Sequence, residues 1–165
     1  MDVSERVSGT PLDRIAVADA PGNRLLVVDL GATVVLGVLL VAAIPAPNTV
    51  GVLAAGWSVV LFVVGCGLFL WAYAIGVQRS RTDAVSIDGL FLLTGVAPRA
   101  VRRRFLGLLA AQCIVSVAAA AARPFTTLAF GVLAPMFGLG IQGLWAARHG
   151  HFEPRPDPAG KGSGR

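Results

Sequence analysis

Between Leu30 and Gln78 the chain runs for forty-nine residues without a single Asp, Glu, Lys or Arg. About 20 apolar residues cross the hydrocarbon core of a bilayer, so this stretch holds two crossings. Its middle reads Ile44-Pro45-Ala46-Pro47-Asn48-Thr49, where two prolines and an asparagine interrupt helix. The stretch is therefore expected to form a helical hairpin over residues 25–44 and 51–77. Further on, residues 105–122 are apolar except for Gln112 and Ser116, and no charge falls between Pro124 and Ala147. These predict a third helix over 105–122 and a fourth over 127–147, with a turn at Arg123-Pro124. The fold class expected is an all-α membrane protein of four transmembrane helices in two hairpins.

Composition excludes an ordinary soluble domain. Apolar residues make up 55% of the chain and mean hydropathy is +0.73. Charged residues are 14%, against about 25% in globular domains. The acidic segment before the first apolar run, with Asp2, Glu5, Asp13 and Asp19, is a poor n-region for a signal peptide. Ala43-Ile44-Pro45-Ala46 has the look of a cleavage site, but the apolar run before it is longer than an h-region, so the first helix is read as retained.

Orientation follows from the basic residues. Arg6, Arg14 and Arg24 precede the first helix; Arg79, Arg81, Arg99, Arg102, Arg103 and Arg104 lie in the link 78–104; Arg148, Arg155, Lys161 and Arg165 follow the fourth helix. Only Arg123 belongs to the opposite side. An even number of crossings with this bias places both termini and the link in the cytoplasm, N-in and C-in. Residues 1–24 and 148–165 are polar, the latter rich in Pro and Gly, and both are expected to be disordered. The apolar centre of the link, from Val85 to Gly95, is too short to span and is expected to lie in the headgroup plane or to dock beneath the helices. Trp71, Tyr73 and Trp145 fall near cytoplasmic helix ends and read as interfacial anchors.

Lipid tails are as apolar as leucine, so helices in a bilayer associate through close backbone approach and a few polar contacts. Small residues four apart, at Ala72/Gly76, Gly107/Ala111, Ala118/Ala122, Ala134/Gly138 and Gly143/Ala147, predict that helices three and four pack tightly. The alanine run Ala118–Ala122 makes helix three weakly hydrophobic and predicts that it faces other helices. Pro135 is expected to kink helix four.

Candidate functional residues are few. Asp29, Gln112 and Gln142 are the intramembrane polar candidates. Asp29 lies about 6 Å along its helix from Leu25. That depth favours an interfacial carboxylate paired with an arginine of the link; a proton or cation site is the alternative. Gln112 and Gln142 read as interhelical hydrogen-bonding residues. Arg99, Arg102, Arg103 and Arg104 serve either as topology signals or as a contact for anionic lipid or a partner protein. Cys66 and Cys113 read as packing residues, and His149 and His151 are a weak metal signal. Neither a catalytic constellation nor a phosphate-binding loop is present, so no catalytic, cofactor or metal residue is assigned and no nucleic-acid partner is expected.

Three stretches, Arg123–Gly131, Pro135–Gly140 and Gly143–Gly150, give the second half of the chain a pattern that resembles small uncharacterised integral membrane proteins of actinobacteria. The resemblance runs from about Gln78 to Arg155. It implies the bacterial inner membrane and carries over no biochemical role. Short outer turns, small-residue helix faces and disordered cytoplasmic ends favour a non-enzymatic scaffold or accessory subunit with a membrane-protein partner, whereas a homo-oligomer fits a pore or carrier better. A small oligomeric transporter or channel is the alternative.

Overall fold

The computed structural model describes residues 22–46 and 48–155, so the expectations for the first twenty-one residues and for residues 156–165 lie outside the described residues. The elements are α1 (Asn23–Ala43), α2 (Val50–Arg79), a short α3 (Ile87–Leu92), α4 (Arg99–Ala122), a 3-10 segment (Thr127–Leu133) and α5 (Pro135–His149). α1, α2, α4 and the combined stretch Thr127–His149 are each long and apolar enough to cross a membrane. Among the described residues there is no β-strand, only an isolated bridge between Asp83 and Pro154.

Each long helix turns a narrow stripe inward. In α2 the buried positions Gly51, Ala54, Ser58, Leu61, Gly65, Ala72 and Gly76 recur at spacings of three, four and, once, seven, and in α1 Asp29, Ala32, Leu36, Leu40 and Ala43 recur at three and four. The outward faces are Val and Leu, as a lipid-facing surface requires, so polarity and small size rather than apolarity mark the inside. The five buried polar or charged residues among those described, Asp29, Ser58, Gln112, Ser116 and Gln142, all sit on these stripes.

The inner helix is the fourth crossing, not the third. Of the most apolar window of Thr127–His149, 56% is buried, against 22% for α4. Ile114 and Val117 of α4 are more than half exposed, and Gly107 and Ala118 face outward with them. The expectation that helix three is shielded by its neighbours is thus not met: Ala119 of its alanine run is buried, but Ala118, Ala121 and Ala122 are exposed on the outside of the bundle. The tightest approach is between α2 and α5. A Cβ added at Gly65 would stand 2.6 Å from both the carbonyl carbon of Met136 and the amide nitrogen of Phe137, and one added at Gly140 would strike the Gly65 carbonyl. Sequence spacing pointed instead to helices three and four, because Gly65 has no small residue four positions away to flag it.

Pro135 does not kink a continuous helix. It occupies the first turn of α5, where its missing N–H is no loss, and the seven residues before the Ala134 junction wind as 3-10 helix. The 15-residue α5 alone spans about 22 Å, less than the hydrocarbon core of about 30 Å. A 3-10 backbone rises about 2.0 Å per residue, and this stretch completes the crossing.

At the end of the bundle that carries most of the basic residues, the link folds back under the helices. Ser86 caps α3 by accepting the Gly89 amide at 3.2 Å, and Leu93 ends it in a left-handed conformation. Phe91 stacks on Phe69 with ring centroids 4.2 Å apart, and Leu90 packs against Gly76. Hydrogen bonding by the Ser86 hydroxyl, helped by the Gly89 amide, holds the Asp88 carboxyl below the usual range. A lowered carboxyl stabilises the fold above its unfolded-state value, so α3 is expected to loosen only as pH falls into the acid range, seen as faster exchange of the Gly89 and Leu90 amides.

Residues 150–155 are ordered rather than loose. The amides of His151 and Arg155 donate to the carbonyls of Val96 and Thr82, the Ala84 amide donates to the Glu153 carbonyl, and Phe152 is buried. Arg79 joins the parts: its guanidinium donates to the carbonyls of Ala147 (3.1 Å) and Gly150 (3.3 Å), pairs with Asp83 at 3.1 Å and lies over the Phe152 ring. It thereby satisfies carbonyls at the C-terminal end of α5, where a cation is also favoured by the helix dipole.

Candidate functional site

The side chains that lipid would not tolerate converge inside the bundle. Gln112 of α4 donates both amide hydrogens to α1, one to Asp29 Oδ1 at 3.0 Å and one to Thr33 Oγ1 at 2.7 Å. Thr33 passes its own proton to the Asp29 backbone carbonyl at 2.7 Å. Oε1 of the same amide lies against Gly138, where an added Cβ would stand 2.6 Å away, so Gln112 reaches across the bundle from α1 to α5. Gln142 stands one turn from Gly138 on the same face of α5, and Ser116 one turn from Gln112 on the same face of α4. They place further buried polar side chains one turn from the contact between Gln112 and Gly138.

Its depth corrects the expected position of Asp29. Gly138 is the midpoint of Thr127–His149, and Gln112 is near the middle of the apolar part of α4. Asp29 is entirely buried at that level. An interfacial ion pair with an arginine of the link is ruled out among the described residues, where the one ion pair is Arg79–Asp83. Distance along α1 misled because it assumed that α1 begins at the membrane surface, whereas its neighbours extend farther at that end. The carboxyl and the glutamines also leave atoms unsatisfied: Asp29 Oδ2, Gln112 Oε1, Ser116 Oγ and both polar atoms of Gln142 have no hydrogen-bond partner.

The basic cluster is helical, not part of an irregular link. Arg99, Arg102, Arg103 and Arg104 occupy the first turns of α4, where the helix dipole disfavours cations. Arg102 spends its Nε on the Leu92 carbonyl at 3.1 Å, while Arg99, Arg103 and Arg104 are exposed. Arg99, Arg102, Arg103 and Leu106 line a shallow surface hollow. The apolar centre of the link takes the second of its two expected positions, docked beneath the helices: Leu90, Phe91 and Leu93 are buried, and Leu92 and Ile87 are exposed.

Trp145 is not an anchor either. It is buried, packing on Phe105 and His149, whereas Trp71 is exposed with Arg148 stacked on it. His149 and His151 line a second hollow with Val96, Val101 and Trp145. Among the described residues no three His, Cys, Asp or Glu side chains are grouped to hold a metal ion.

Thr33 was not singled out in the sequence, and Ser116 and Arg79 were named there only as a polar interruption of an apolar run and as one of the basic residues. Thr33 lies four residues from Asp29 and Ser116 four from Gln112, so helical spacing from each polar candidate would have found both. Comparison with protein-family models, with curated proteins and with solved structures finds no match for the chain.

Proposed function

We propose that the chain is a multi-pass protein of the bacterial inner membrane, with both termini cytoplasmic, that acts as a non-enzymatic scaffold or accessory subunit of a membrane complex. The observation that carries this reading is the rigid cap at the basic end. Arg79 ties residues 150–155 to the end of α5, α3 packs on Phe69 and Gly76, and Arg102 donates to the Leu92 carbonyl that ends α3, with Arg99, Arg103 and Arg104 exposed beside it. Anionic headgroups are the expected contact there. Each charge contributes about 1 kcal/mol near such a surface, and phosphate would also offset the unfavourable placement of four cations at a helix N-terminus.

Replacing Arg99, Arg102, Arg103 and Arg104 together by Gln is expected to lower retention of phosphatidylglycerol by the detergent-purified protein by at least about tenfold, since four charges contribute about 1 kcal/mol each. Retention should fall with salt in the wild type and depend little on salt in the variant. Unchanged retention would leave these arginines as topology signals alone. Orientation is checked first by labelling single cysteines at Asn48 and Ile87, both exposed, in a background lacking Cys66 and Cys113. Asn48 alone should react from outside the cell. A stoichiometric partner recovered in mild detergent supports the accessory role, and its absence together with a lone homo-oligomer counts against it. The alternative, a small oligomeric transporter or channel, draws on a different observation, the buried carboxyl of Asp29.

A further inference from the structure

We propose that Asp29, hydrogen-bonded by Gln112 across the bundle, is a proton-binding site, the carboxyl carrying its proton at neutral pH while α1 and α4 are closed on each other. The inference is independent of the accessory-subunit reading. An ionised carboxylate removed from water is tolerated when a cation or several donors face it. Here it receives one neutral N–H, from Gln112 to Oδ1, and the nearby Thr33 hydroxyl is committed to a backbone carbonyl. Oδ2 has no partner at all.

The charged and titratable groups on the elements packed around it stand elsewhere. Arg24 is exposed at the start of α1, and Arg99, Arg102, Arg103 and Arg104 lie two or more turns from Gln112 on α4. Arg148 and His149 end α5, and Arg79 caps it from α2. Cys113 of α4 is exposed, Cys66 of α2 is half-buried, and Tyr73 of α2 is half exposed. None of them is hydrogen-bonded or ion-paired to the carboxyl.

Protonation resolves the imbalance. Between the two bonded side chains, Asp29 Oδ2 and Gln112 Oε1 are both acceptors without a donor. A carboxylic acid adds the O–H donor that such a set lacks while leaving Oδ1 to accept from Gln112. Loss of the proton would leave a charge that the closed cluster cannot hold, so exchange requires α1 to part from α4 and admit water.

The test is infrared spectroscopy of the full chain in nanodiscs of neutral lipid, following the carbonyl stretch of protonated carboxyl groups. At about pH 7 ordinary aspartates are ionised by about a thousandfold. The wild type is expected to keep a protonated-carboxyl band at that pH, and Asp29→Asn, which preserves shape and the acceptor for Gln112, is expected to lose it. Gln112→Leu should shift the band without abolishing it, because one hydrogen bond to the carbonyl is removed. The wild-type spectrum decides even if a variant fails to fold: absence of the band at neutral pH overturns the proposal. A band seen only in buffer free of sodium and potassium also overturns it, since the site would then hold a metal cation. Persistence of the band in a folded Asp29→Asn variant would assign the proton elsewhere and do the same.

Discussion

A single methyl group added at Gly65 is expected to destabilise the bundle by about 3 kcal/mol, at the upper end of the ordinary cost of overpacking, because the atoms it meets are the backbone of α5 rather than a movable side chain. The same change at Gly67, two residues along α2, meets nothing within 4 Å and is expected to be neutral or mildly stabilising, as Gly to Ala usually is in an unobstructed helix. Denaturation by sodium dodecyl sulfate in mixed micelles, followed by far-UV circular dichroism, separates the two. Equal effects at both positions would mean that α2 and α5 do not approach as closely as described. The contrast matters for function, because the α2–α5 seam holds the inner helix against which Gln112 is braced.

Arg79→Ala is expected to cost about 2–3 kcal/mol, the range for hydrogen bonds to a charged group together with the carbonyls left without a partner. Its signature should be local. The amides of Ala84, His151 and Arg155, which bridge the link and residues 150–155, are expected to exchange much faster, while amides in the middle of α2 and α5 stay protected. Arg79→Lys keeps the charge, and with it any influence on orientation, but lacks the planar fork that reaches Ala147, Gly150 and Asp83 at once. It is expected to recover little of the protection. Full recovery with Lys would show that charge alone matters at this end of α5. The cap meets the proposed lipid contact at one point, where Arg102 donates to the Leu92 carbonyl.

Of these features, the four apolar helices were legible in the chain itself, because a bilayer demands a minimum apolar length and the absence of charge is a one-dimensional property. The ranges shifted at their ends: α4 begins at Arg99 rather than at 105, since basic residues extend a helix beyond the apolar core as readily as they end a span. The polar residues of the site were visible too, because Asp29, Gln112 and Gln142 stand out against an apolar background. Their arrangement was not. Which helix lies innermost, that Asp29 meets Gln112 at mid-depth and not an arginine at the surface, and that Arg79 ties residues 150–155 to the link all depend on how far each helix is shifted along its neighbours. In lipid that shift is set by where backbones approach most closely, as at Gly65 and Gly140, and by which polar groups find partners across the bundle. Both are properties of pairs of helices, and no spacing within one helix records them.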